Sequence, residues 1–285
     1  MVDLLSHFSA LAPDYDLILC DVWGVVHNGL KATPAACDAL LRARARGASV
    51  VLITNAPRPS TQVARQLARL HVPQESYDAI VSSGDVTHHE MRKRPHQTVF
   101  HLGPERDKSV FDGLNVVFAS PESANYVVCT GLFDDEREGP DDYRAMLEAM
   151  LKRKLFMLCG NPDVVVERGD QLVYCAGSIA DLYRTMGGEV LYAGKPYRPI
   201  YEMAVAEAQR AAGREISRKR ILAIGDSVRT DLTGAHGFGI DFLFIMGGIH
   251  AEELGGRTDL STDALDDVFA AAGEKPRAVM RHLAW

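Results

Sequence analysis

The stretch DLILCDVWGVVHNG, Asp16 to Gly29, decides the fold. Its first five residues form an apolar run with the length of a buried strand, and a carboxylate, Asp21, follows at once. The pattern recurs along the chain. SVVLIT (Ser49 to Thr54) passes into Asn55, VLYAG (Val190 to Gly194) into Lys195, and ILAIG (Ile221 to Gly225) into Asp226 and Ser227, with Asp231 close behind. DAIVSS (Asp78 to Ser83) and FLFIMG (Phe242 to Gly247) are further runs of this kind. Short apolar runs alternating with helical patterns predict a parallel sheet covered by helices. One helix is expected from about Pro34 to Arg46, with Arg42, Arg44 and Arg46 at its negative end and Gly47 as its C-cap. Another starts near Pro199, with Ile200, Met203, Ala204 and Ala208 on one face and Gly213 past its end.

Between about His96 and Gly177 the punctuation changes. TVFHLG, NVVFAS, NYVVCTG, LFMLCG and QLVYCAG are further strand candidates, spaced for a second small α/β unit inserted into the first. Its clearest helix is DDYRAMLEAMLKRK, with Tyr143, Met146, Leu147, Met150 and Leu151 in an apolar stripe of the core-facing kind. The expected organisation is therefore a Rossmann-like three-layer α/β core from residues 1–95 and 178–285, interrupted by an inserted α/β unit at 96–177. RGD at Arg168 to Asp170 reads as a turn in VVVERGDQLVY, not as an adhesion signal.

Composition narrows the partners. The chain has 285 residues, of which 47% are hydrophobic, enough for a sizeable core. The net charge of -7 and the lack of a basic stripe argue against general nucleic-acid binding. Five cysteines without CxxC spacing lie mostly in apolar runs and read as reduced core residues, which favours the cytoplasm. The first residues lack a basic start followed by an apolar run, and no run of eighteen apolar residues occurs, so neither secretion nor a membrane span is expected.

In parallel α/β sheets, ligands gather beyond the carboxyl ends of the strands, where loops and helix N-termini converge. Here those ends carry two acids, a hydroxyl with an amide, and a lysine. A carboxylate can attack phosphorus once its charge and the phosphoryl charge are jointly neutralised, and acids around magnesium do this while leaving an open coordination position. A lysine offsets the remaining charge, and a threonine hydroxyl with backbone N–H groups holds the equatorial oxygens. Each group alone has a plain structural reading: a strand-end Asp caps a helix, a Thr sits in a turn, GKP forms a loop. It is the ordered set that points to a phosphate and magnesium site.

The order DVWGVVHNG, ITNAPRPS, GKPYRPIYEMA and IGDSVRTDLTGA resembles the four motifs of the haloacid dehalogenase superfamily, in its NagD-like, class IIA branch, over nearly the whole chain. The resemblance implies a magnesium-dependent phosphatase acting on a small phosphorylated metabolite through an aspartyl-phosphate. It makes Asp21 the nucleophile, Thr54 a phosphate ligand and Lys195 the residue that steadies Asp21 and the phosphoryl group. It gives Asp21 and Asp226 to the metal with Asp231 in its support, adds Asn55 to Thr54 as a phosphate-binding residue, and places Ser227 in the site. The branch carries its cap between motifs two and three, where the inserted unit lies, with substrate between core and cap. The cap-edge sequence GNPD makes Asn161 and Asp163 candidates for substrate contact, although a simple turn after LFMLC is the plainer reading and holds in either case. A homodimer through an apolar cap face stays open.

The chain departs from the family at Trp23, where phosphatases usually carry a second Asp that protonates the leaving oxygen and then activates water. The Trp23 backbone carbonyl can still face magnesium, but the proton-transfer role is lost. General acid–base help typically contributes on the order of 100-fold to 10,000-fold, so slow turnover is expected. His27 is a candidate substitute, against a structural reading beside Asn28 and Gly29. Two alternatives stay open: a metal-independent carbon–halogen hydrolase, which would not need both Asp226 and Asp231, and a non-catalytic protein that binds a phosphometabolite. His88, His89 and His96 sit among basic residues and read as a solvated helix end, and GAHGFG reads as a helix end turning into the next strand.

Overall fold

Among the described residues, two large sheets, of seven and five strands, organise the fold. The computed structural model describes residues 2–168, 171–247, 269–270 and 272–285. These divide into two compact units, one of Met1–Thr54, Val63–Val81 and Pro196–Trp285, the other of Asn55–Gln62 and Ser82–Lys195.

The first unit is built on a seven-stranded sheet. In chain order its strands are β1 (Asp3–Leu4), β2 (Leu17–Asp21), β3 (Ser49–Thr54) and β4 (Ala79–Ser82), then β12 (Ile221–Gly225), β13 (Asp241–Ile245) and β14 (Ala278–Met280). They lie in the order β1-β14-β13-β12-β2-β3-β4, and the pairings from β1 to β3 are all parallel. Strands β2 and β12 are buried along their whole length, as continuous apolar runs in a doubly covered sheet must be. Around them run α1 (Pro34–Ala45), α2 (Ser60–Arg69), α6 (Arg198–Ala212) and α7 (Thr233–Phe238). Helix α6 ends as its sequence predicts, with Gly213 in the left-handed region at φ 65°. The fold is the α/β, Rossmann-like one expected.

The second unit holds a parallel sheet of five strands: β5 (Thr98–Leu102), β6 (Val117–Phe118), β7 (Tyr126–Cys129), β8 (Phe156–Cys159) and β11 (Val190–Tyr192), in the order β11-β8-β7-β5-β6. An antiparallel pair, β9 (Val165–Arg168) with β10 (Gln171–Tyr174), accompanies it; Gly169 and Asp170 of the expected turn lie outside the described residues. Its helices are α3 (Ser83–Arg92), α4 (Arg144–Lys152) and α5 (Ala176–Thr185). The α4 stripe is core as expected, with Leu147 and Met150 fully buried and Tyr143 nearly so.

The second unit reaches further than residues 96–177 on both sides, and one strand is placed differently from the sequence reading. Val190–Tyr192 pairs with β8 in the five-stranded sheet, not with the strands of the first unit. Helix α5 causes this: only residues 186–189 separate it from β11, and its Tyr183 hydroxyl donates to Leu155 O at 2.6 Å on the approach to β8. A strand that follows so closely is held to the sheet its helix covers. Lys195 therefore does not follow a strand of the seven-stranded sheet. All five cysteines are buried, and none is in a disulfide. No helix among the described residues is long and apolar enough to cross a membrane.

Candidate active site

Adjacent strands β2 and β12 end side by side, with Cys20 in register with Ile224. Asp21 closes β2 and Asp226 directly follows β12, so both carboxylates arise at the same edge of the sheet. Asp231 joins them through a single turn of π-helix, Val228–Leu232, in which the Leu232 N–H donates to Ser227 O across five residues. The wider turn brings the Asp231 carboxylate back to the start of its own loop, where Oδ2 accepts from Ser227 N–H at 3.2 Å. Asp21, Asp226 and Asp231 each offer a carboxylate oxygen within 4.8 Å of the others, and all three are buried. Among the described residues this is the group of three or more acidic, histidine or cysteine ligands that comes together. His88, His89 and His96 form no such group.

Two glycines make the crowding feasible. Gly24, at φ 87°, lies so close to Asp226 that a Cβ there would sit 2.0 Å from its Oδ2. A Cβ on Gly225 would come within 2.2 Å of Asp231 Cγ. Their signals, the glycines of DVWG and AIGD, were present in the sequence but give no hint of what they approach. Thr54, the last residue of β3, is buried one position beyond Ile53, the register partner of Asp21.

The loop after Asp21 is a tight knot. Gly24 N–H donates to His27 O at 2.8 Å, and the Trp23 ring meets His27 edge-on with centroids 5.1 Å apart, backed by Gly29. Trp23 is 37% exposed, so part of its ring faces solvent. His27 is buried, and Nδ1 accepts from Gly29 N–H at 2.9 Å. Burial pushes its pKa down to about 4. A neutral imidazole with one nitrogen holding a turn is the structural histidine of the two readings.

The second unit gathers the other candidates. Asn55, buried, accepts from Lys195 N–H at Oδ1 (2.7 Å) and donates through Nδ2 to Lys195 O (3.1 Å) and Asp163 Oδ1 (2.8 Å). Asn161 Oδ1 accepts from Asp163 N–H at 3.1 Å, the side-chain-to-backbone bond of an Asn-Pro-Asp turn. Lys195 is only 2% exposed, and burying an ammonium is costly enough that solubility does not explain the position.

A model described as haloacid dehalogenase-like hydrolase matches residues 18–117, and a second, HAD-hydrolase-like model matches 192–283. The crystal structure of a haloacid dehalogenase-like hydrolase from Brucella suis 1330 is 43% identical, covers 98% of this chain and 100% of its own, and has a TM-score of 0.87. This chain belongs to the haloacid dehalogenase-like hydrolases. The solved structure of a putative nagD protein shares the fold at 22% identity and a TM-score of 0.66, over 83% of this chain and 90% of that one. D-Glycerol 3-phosphate phosphatase of Mycobacterium tuberculosis is 25% identical to this hydrolase over 260 residues, 85% of this chain. The match spans 66% of that relative, just under two thirds of its length. A solved structure of glycerol phosphate phosphatase from the same organism, in complex with magnesium, shares the fold at 23% identity and a TM-score of 0.65, over 84% of this chain and 70% of that one.

Proposed function

We propose that this chain is a magnesium-dependent phosphatase that hydrolyses a small phosphate monoester through an aspartyl-phosphate on Asp21, with the first unit as catalytic core and the second as cap. The observation that carries this reading is the buried cluster of Asp21, Asp226 and Asp231. Three carboxylates this close repel one another in a poorly solvated place, and an all-oxygen set of this kind suits a hard divalent cation. Asp21, Asp226, Asp231 and the Trp23 carbonyl would hold it. Bound there, magnesium would offset the charge of the carboxylates and of the phosphoryl oxygens.

The chain's own residues then have separate tasks. An Asp21 carboxylate oxygen forms a bond to phosphorus as the bond to the leaving oxygen breaks; water afterwards cleaves the acyl phosphate, releasing inorganic phosphate and free Asp21. The Thr54 hydroxyl donates to a phosphoryl oxygen, and Lys195 takes the charge-offsetting role its motif implies. Asn161 and Asp163 keep the substrate-contact role given by the resemblance. The leaving oxygen takes its proton from solvent, because the Trp23 indole donates none usefully and His27 is neutral and engaged. Turnover of poor leaving groups is therefore slow. The relative that acts on D-glycerol 3-phosphate favours a small phosphorylated polyol or sugar as substrate.

A phosphometabolite panel with and without magnesium, on wild type and Asp21→Asn, tests the reading. Magnesium-dependent phosphate release that disappears in Asp21→Asn is expected. Halide release from haloacids without magnesium, or tight binding of phosphometabolites with no release, would overturn it.

A further inference from the structure

We infer that Asn55 is a positioning residue that sets Lys195, rather than a ligand of the phosphoryl group; the inference rests on the reading of Lys195 as a catalytic cation. The two residues stand 140 apart in sequence, yet the Asn55 amide pairs with both backbone polar groups of Lys195. The orientation of that amide is unambiguous, because a backbone N–H can only donate and so must face Oδ1. An asparagine amide has two hydrogens to give. One goes to Lys195 O and the other to Asp163 Oδ1, at 3.1 and 2.8 Å. Neither is left for a phosphoryl oxygen. What the pairing does is fix the Cα of a long, flexible side chain, leaving its rotamers as the remaining freedom of the ammonium.

Gly194 belongs to the same device. A Cβ there would lie 2.3 Å from Asn55 Oδ1 and 2.8 Å from Pro162 Cδ, so the amide fits against Lys195 only because the preceding residue has no side chain. Gly194→Ala therefore displaces Asn55 while removing no functional group from the chain.

The test is a double-mutant cycle on the full chain, read in steady-state kinetics with a phosphomonoester found active in the panel. Asn55→Ala and Gly194→Ala should each lower kcat on the order of 10-fold to 100-fold, the loss that misplacing a catalytic group by about 1 Å brings, with KM within a few-fold of wild type. In a Lys195→Ala background the same substitutions should cost less than about 2-fold, because residues acting through one group are not additive. Thermal melting and magnesium affinity check that each variant is folded. Equal fold losses in both backgrounds, or a rise in KM with kcat unchanged, would overturn the inference and return Asn55 to the substrate. Wild-type turnover in Lys195→Ala would instead remove the catalytic reading of Lys195, and the inference with it.

Discussion

Gly24→Ala and Gly47→Ala separate backbone strain from damage to the carboxylate cluster. Both glycines occupy the left-handed region, at φ 87° and 97°. An alanine there costs about 1–2 kcal/mol, which in a protein of this size lowers the melting temperature by roughly 2–8 °C. The surroundings differ. Nothing lies within 4 Å of a Cβ on Gly47, whereas one on Gly24 would sit 2.0 Å from Asp226 Oδ2, about 1 Å inside the closest approach a carbon makes to an oxygen. Either the loop or the carboxylate must move by that amount, and a ligand set disturbed in this way loses on the order of 10-fold to 100-fold in metal affinity. That is about 1.4–2.7 kcal/mol of binding free energy. Calorimetric titration of magnesium, paired with melts in chelator, should show both variants destabilised, Gly24→Ala the more because its clash adds to the backbone strain, and only Gly24→Ala weakened for magnesium. Equal magnesium affinity in the two would refute the assignment of Asp226 to the metal.

Trp23→Asp restores a carboxyl where related phosphatases keep their proton donor, and should raise kcat for alkyl phosphates by about 100-fold or more while changing aryl phosphates much less. Equal gains on both substrate types, or none, would mean that proton transfer does not limit wild type. The buried His27 gives a pH signature in stability. The unfolded chain takes a proton near pH 6.5 while the folded one resists until about pH 4. The stability present above pH 6.5 is therefore lost as pH falls between these values, by up to about 3 kcal/mol. His101, pushed down to about 4 mainly by burial, adds to the loss, and Asp107, raised to about 6 by burial, opposes it. The difference between wild type and His27→Gln isolates the term: urea denaturation at pH 6.5 and 4.5 should show a shallower loss in the variant, and parallel losses would contradict the burial account.

Local chemistry was legible from the sequence to different depths. Asp21, Thr54 and Asp226 could be placed because each closes an apolar run, and a strand's end fixes where the next side chain emerges. Asp231 could be named but not placed, since a π-turn is set by the packing of its loop and leaves no periodic mark. Val190–Tyr192 was recognisable as a buried strand, but its apolar residues carry no record of their neighbour; α5, just upstream, decides that. The strands Asp3–Leu4 and Ala278–Met280 pair across the whole length of the chain and are too short for a pattern. The bond between Asn55 and Asp163 joins residues 108 apart, a closeness no local signal encodes. Trp23 was the reverse case: the residue that breaks the motif stood in plain view, while the state of His27 beneath it depended on burial that only the fold supplies.

The central claim, that Asp21 forms an acyl phosphate, is tested most directly by borohydride trapping. Wild-type protein turning over a phosphomonoester with magnesium is quenched with borohydride, which reduces an aspartyl-phosphate to homoserine, and its peptides are mapped by mass spectrometry. The account predicts homoserine at position 21, dependent on both magnesium and substrate. Steady phosphate release with Asp21 unmodified would contradict it.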